Sequence, residues 1–108
     1  MQQLTTIELK NKIANKENFV LDLYATWCGP CKIMLNNLSK VNESLIKEST
    51  ENPKYNIYKF DIDSDKEFVV SELGIRSVPT LKIFKEGQEV FSKPGVMSPS
   101  EVLNLIAD

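Results

Sequence analysis

The stretch Phe19-Val20-Leu21-Asp22-Leu23-Tyr24-Ala25-Thr26-Trp27-Cys28-Gly29-Pro30-Cys31-Lys32 carries two structural signals back to back. Its first six residues are almost continuously apolar, which suits a strand buried on both faces, as in a parallel sheet. A helical pattern follows at once. Cys31, Met34, Leu35, Leu38, Val41 and Leu45 recur at three- and four-residue steps. They predict one buried stripe on a helix reaching about Ser49. Cys28 and Cys31 therefore fall where a buried strand gives way to a helix N-terminus. Unpaired N–H groups and the positive end of the helix macrodipole favour a thiolate there. This predicts a lowered pKa for Cys28 and the role of nucleophile.

Cys31 lies on the same first turn, within reach of a disulfide with Cys28. The stripe buries Cys31 and leaves Cys28 at an exposed tip, so their expected roles differ: Cys28 attacks and Cys31 resolves. The plainer alternative is a structural staple or two inert thiols, yet so short a loop removes little unfolded-state entropy. A thiolate cluster shared between two chains is a further alternative.

Asp22 interrupts the apolar strand six residues before Cys28. Burial without a partner is costly for a carboxylate and raises its pKa. Such a carboxyl group can take a proton from Cys31 during resolution. The competing reading puts Asp22 at a strand end with its carboxylate in water. Lys59, central in the next predicted strand, is either a buried charge partner of Asp22 or a snorkelling surface lysine. Trp27, beside Cys28, is expected to be partly exposed and suited to binding a polypeptide. The Asp61, Asp63 and Asp65 trio reads as a solvated loop rather than a cation site.

Outside this region strands and helices alternate. Leu4 ends a short first strand. Thr5-Thr6-Ile7-Glu8 is a capping box opening a helix to about Asn15. Tyr55 to Ile62 reads as a strand. Ser64-Asp65-Lys66-Glu67 forms a second box, with Gly74 as the helix stop. Thr80 to Lys85 and Gln88 to Lys93 flank Glu86-Gly87 as a hairpin. Ser98-Pro99-Ser100-Glu101 is a third box with Pro at the first helical position, and Val102, Leu103 and Ile106 carry the last helix. Crossover helices make strands parallel and the hairpin is antiparallel, so the prediction is an α/β fold with a mixed central sheet and helices on both faces. Residues 1–108 are expected to form a single domain.

Composition narrows the chemistry. Thirteen basic and fifteen acidic residues give a net charge of -2, so no basic field invites nucleic acid or an anionic membrane. The chain has no His, which removes His-based acid–base catalysis and His metal ligation. With two Cys and no His, a four-ligand Cys/His zinc site cannot form within one chain. Neither a membrane span nor a signal peptide is expected from the sequence as it stands. The expected location is cytoplasmic, where thiols are kept reduced and paired Cys are more often catalytic than structural.

Trp27-Cys28-Gly29-Pro30-Cys31-Lys32, the strand before it, the Gly74-Ile75-Arg76-Ser77-Val78-Pro79-Thr80 segment and the glycines at Gly87 and Gly95 together resemble the thioredoxin family, over essentially the whole chain. The resemblance implies the thioredoxin fold, a five-stranded mixed sheet flanked by four helices. It implies a protein dithiol–disulfide oxidoreductase that reduces target-protein disulfides, with Cys28 attacking and Cys31 resolving. Asp22 matches the family's buried acid and Lys59 the lysine beside it. Pro79 matches the cis-Pro packed against the disulfide. Trp27, Gly29, Pro30, Ile62, Val78, Gly95 and Val96 match the apolar face that grips substrate proteins. The implied partners are disulfide-containing targets and a flavin-containing, NADPH-dependent thioredoxin reductase. No bound cofactor or metal is expected, and the expected state is a monomer.

Two positions depart from the family pattern. Asn36 stands where many thioredoxins have Pro, which predicts a straighter helix with unchanged chemistry. Pro94 stands where an aliphatic residue is common, which predicts an altered groove rim. Two rival functions follow from the same residues. One is a thiol oxidase or isomerase of this fold, against which Gly29-Pro30 argues by resemblance. The other is a binding module that uses the apolar face without thiol chemistry.

Overall fold

The computed structural model describes residues 1–48 and 54–107. The elements are β1 (Gln2–Gln3), α1 (Thr6–Ala14), β2 (Phe19–Tyr24), α2 (Gly29–Glu48), β3 (Asn56–Asp61), α3 (Lys66–Ser71), β4 (Thr80–Lys85), β5 (Gln88–Pro94) and α4 (Pro99–Ile106). The expected end of α2 at Ser49 lies outside the described residues. Among the described residues, five strands form one sheet in the order β1-β3-β2-β4-β5. β1, β3 and β2 run parallel, with Asp22 opposite Lys59. β4 runs antiparallel to β2, and β5 to β4. This is the mixed sheet expected from crossover helices followed by a hairpin.

Strand alternation divides the core into two layers. Phe19, Leu21 and Leu23 of β2 face one side, where they meet Leu9 of α1 and Phe68 and Val69 of α3. Phe19 stacks on Phe84 at 4.6 Å between ring centroids. Val20 faces the other side with Leu81 and Ile83, against Met34, Leu38 and Val41 of α2 and Val102 and Ile106 of α4. The α2 stripe is as expected, with Leu35 and Leu45 only half-buried at its margins. β2, covered on both faces, is the most enclosed strand, which is why its sequence is nearly all apolar.

The first and third capping boxes form as read. Glu8 N–H donates to Thr5 Oγ1 at 3.2 Å, and Glu101 N–H donates to Ser98 Oγ at 3.2 Å. The second is displaced by one residue. Asp65, not Ser64, caps α3, its Oδ1 accepting from Phe68 N–H at 3.2 Å. The Ser64 hydroxyl instead donates to the Asp61 carbonyl at 2.6 Å. A carboxylate can accept several bonds at once, and Asp65 Oδ2 also takes the Thr6 hydroxyl at 2.7 Å, tying α3 to α1. The two oxygens of one carboxylate thus hold both partners.

The hairpin turn has positive φ at both central residues, 54° at Glu86 and 77° at Gly87, the I′ geometry that matches strand twist. Gly87 has a second reason to lack a side chain. A Cβ there would collide with the Ile13 carbonyl oxygen, because the turn packs on the end of α1. Lys82 of β4 is buried, with its ammonium on Glu89 and Ser92 of β5.

Candidate active site

The C-terminal end of β2 delivers the chain into the first turn of α2, and Cys28 sits between them. Cys28 and Cys31 form a disulfide, with Cα atoms 5.3 Å apart. The Cys31 N–H donates to Cys28 Sγ at 3.2 Å. A helix start leaves its first amides unpaired, and here one of them points at the sulfur expected to carry negative charge when reduced.

Cys28 is not at an exposed tip. Its residue is 6% exposed, against 2% for Cys31. Tyr24, Ile62 and Val78 pack against the cluster of Ala25, Cys28 and Cys31. The helical stripe could not register this cover, since it comes from β2, from the segment after β3 and from the loop before β4. Cys28 still stands immediately before the first residue of α2 and is the less buried of the pair.

Asp22 is fully buried. Alternation places it on the same sheet face as Val20, between β2 and α2, the side toward which Cys31 is buried. Neither carboxylate oxygen has a hydrogen-bond partner. Burial pushes its pKa up to about 7, and the charge of Lys59 opposes the rise. Lys59 is half-buried, with its ammonium 5.6 Å from the centre of the Tyr24 ring. It therefore combines both readings of the sequence: it acts on Asp22 by charge, and it lies along an aromatic surface without bonding the carboxylate.

The Val78-Pro79 peptide is cis, and Pro79 is buried. Pro79 C=O accepts from Gly95 N–H at 2.8 Å, which brings the segment after β5 beside the segment before β4. Gly95 has φ +97°, a conformation L side chains rarely adopt, and open space lies where its Cβ would be. Val96, beside it, is 44% exposed, and Ile62 and Val78 are half-buried. Gly29 and Pro30 are exposed. Trp27 is 69% exposed, and its indole N–H donates to Asp63 Oδ2 at 2.8 Å. Ile62 and Val78 thus lie against the cysteine pair, and Gly95 is tied to Pro79, the neighbour of Val78.

Asp63, which the sequence alone places only in a solvated loop, is the hydrogen-bond partner of Trp27. The acidic trio has separate local tasks: Asp61 accepts from Asp63 N–H at 2.9 Å, Asp63 holds Trp27, and Asp65 caps α3. Among the described residues no group of three or more Cys, Asp or Glu is placed to hold a metal ion. No helix among them is long and apolar enough to cross a membrane.

A thioredoxin family model matches residues 1–108. The chain belongs to the thioredoxin family. It is 34% identical over 103 residues to Thioredoxin-1 of Saccharomyces cerevisiae, covering 95% of this chain and 91% of that protein. Oxidised mitochondrial thioredoxin 3 from Saccharomyces cerevisiae superposes with a TM-score of 0.79 at 30% identity, covering 98% of this chain and 92% of the other. A structure described for the thiol resolving mechanism of a yeast mitochondrial 1-Cys peroxiredoxin via glutathione/thioredoxin systems gives 0.79 at 28% identity, with the same coverage. With this fold and a cysteine pair at disulfide distance, the chain is a dithiol–disulfide oxidoreductase with protein disulfide reductase activity.

Proposed function

We propose that residues 1–108 act as one thioredoxin domain in which Cys28 is the nucleophile, Cys31 the resolving thiol and Asp22 its proton acceptor. The observation that carries this reading is the Cys31 N–H directed at Cys28 Sγ at the helix start. A target polypeptide lays its disulfide against Trp27, Ile62, Val78, Gly95 and Val96. The Cys28 thiolate attacks one target sulfur, forming a mixed disulfide and releasing the other sulfur as thiolate. Asp22 takes the Cys31 proton, and the Cys31 thiolate attacks Cys28 Sγ. The target leaves with both sulfurs reduced, and two electrons have moved from this chain to the target. Lys59 tempers the affinity of Asp22 for its proton.

Electrons return, in this proposal, from NADPH through a flavin-containing thioredoxin reductase. The domain works as a monomer in the cytoplasm. The location is supported by redox poise alone: a reductant is useful where the surrounding thiol pool is kept reduced. The targets are proteins carrying accessible disulfides or oxidised cysteines, a class supported by the peroxiredoxin connection of one structural relative.

The test is a coupled assay with NADPH, a flavin-dependent thioredoxin reductase and insulin. Consumption of NADPH that requires both cysteines is the expected result. Insulin reduction with dithiothreitol but none with the reductase would overturn the proposed electron source. No reduction in either case would overturn the catalytic assignment itself.

A further inference from the structure

Val96 is presented between two anchored neighbours. On one side, Gly95 N–H is held by the Pro79 carbonyl at 2.8 Å. On the other, Met97 is only 3% exposed, and both its backbone polar groups are tied to α2. Its N–H donates to Met34 Sδ at 3.3 Å, and its C=O accepts from Asn37 Nδ2 at 2.9 Å. Met34 and Asn37 are three residues apart and so share one helix face. Both bonds have an amide N–H as donor, but a thioether is a weak acceptor and a carbonyl oxygen a full one, which makes the Asn37 bond the firmer tie. Asn36, next in sequence, is exposed and has no such bond among the described residues.

We infer that Asn37 is a positioning residue for protein substrates, fixing the Gly95–Met97 segment to the helix that carries Cys31. This rests on the reductase reading above. A segment fixed in advance does not lose its freedom again when a polypeptide docks, so the tie favours binding. Without it, the buried Met97 carbonyl loses its donor and the segment must rearrange to find another. Asn37 does not touch the sulfurs, so the thiol chemistry itself is independent of it. The tie sets affinity for substrates long enough to cross Val96 and leaves small disulfides unaffected.

The experiment compares pre-reduced wild type with Asn37→Leu, Asn37→Ala and the control Asn36→Leu, following Trp27 fluorescence in stopped flow. Each is mixed with insulin over a concentration series and, separately, with 5,5′-dithiobis(2-nitrobenzoate). Loss of one hydrogen bond predicts a half-saturating insulin concentration about three- to tenfold higher in both Asn37 variants. The limiting rate and the reaction with the small disulfide should not change, and Asn36→Leu should match wild type. An unchanged half-saturation in both Asn37 variants overturns the inference. So does an equal loss on both disulfides, which marks general damage to the fold, or an equal effect of Asn36→Leu. A wild type that reduces neither disulfide overturns the reductase reading, and this inference with it.

Discussion

Asp22 and Lys59 stand opposite each other across the parallel β2–β3 pair, yet no hydrogen bond joins them. The buried carboxyl group meets only the long-range field of the lysine, which is too weak to offset burial, and its pKa stays near 7.

The first consequence concerns stability. The folded-state pKa of Asp22 lies above its unfolded value, so the folded chain holds this proton more tightly. The favourable contribution is complete below about pH 4 and is lost as pH rises through about 7. Asp22→Asn should therefore stabilise the fold at pH 8 by a few kcal/mol, since each tenfold difference in proton affinity is worth about 1.4 kcal/mol. The gain should shrink toward pH 4. Urea midpoints of the two proteins at pH 8 and pH 5 check this, and an advantage for Asn that grows on acidification would refute it.

Asp22→Asn should also slow resolution of the mixed disulfide more than the initial attack. The asparagine cannot accept the Cys31 proton, whereas attack by a Cys28 already present as thiolate needs no proton transfer to residue 22. Stopped-flow separation of the two steps is the measurement. Equal slowing of both steps would sink the proton-transfer role.

The two cysteines should fail differently. Cys28→Ser removes the attacking sulfur and should abolish exchange. Cys31→Ser should leave attack intact and accumulate mixed disulfides with target proteins, visible on non-reducing gels. Absence of such adducts from a variant whose Cys28 still alkylates would remove Cys31 from the resolving role.

The Trp27 indole N–H is bonded to Asp63. Asp63→Ala should release the indole, raising the half-saturating concentration of a protein disulfide about threefold, the effect of one exposed hydrogen bond. The only tryptophan of the chain makes the change directly observable as faster decay of fluorescence anisotropy. Unaltered anisotropy decay would show that the indole is held by packing instead.

Gly87→Ala should destabilise the fold by about 2 kcal/mol or more, since it combines a strained positive φ with a clash against Ile13. Thermal or urea unfolding reads this directly. A neutral result would mean that the turn can move off the end of α1.

What the sequence made legible follows from the range of each interaction. Phe19–Tyr24 declared a doubly covered strand because burial on both faces leaves no polar period. Thr5 with Glu8, and Ser98 with Glu101, declared helix starts because a cap is complete within four residues. The paired cysteines at a strand-to-helix junction are likewise local. Other features depend on distant partners. Trp27 and Asp63 are 36 residues apart, and Asn37 and Met97 are 60 apart. No periodicity links either pair. The choice of Asp65 over Ser64 as the α3 cap also turned on Thr6, which lies in another helix. Helical position alone makes Cys28 look exposed, and only the folded sheet brings Ile62 and Val78 over it. Lys82 reads as one residue of a strand, and its burial depends on how Glu89 and Ser92 meet it across the hairpin.

That buried lysine makes the hairpin a built-in clock. While β4 and β5 stay paired, the Lys82 amine is out of reach of an acylating reagent, unlike the lysines on the surface. Its labelling rate, followed by peptide mass spectrometry, then times the opening of this one edge of the sheet. Trp27 reports on the reactive end of the molecule, beside the cysteine pair. The two together can tell whether loosening at the hairpin and events at the disulfide occur in step.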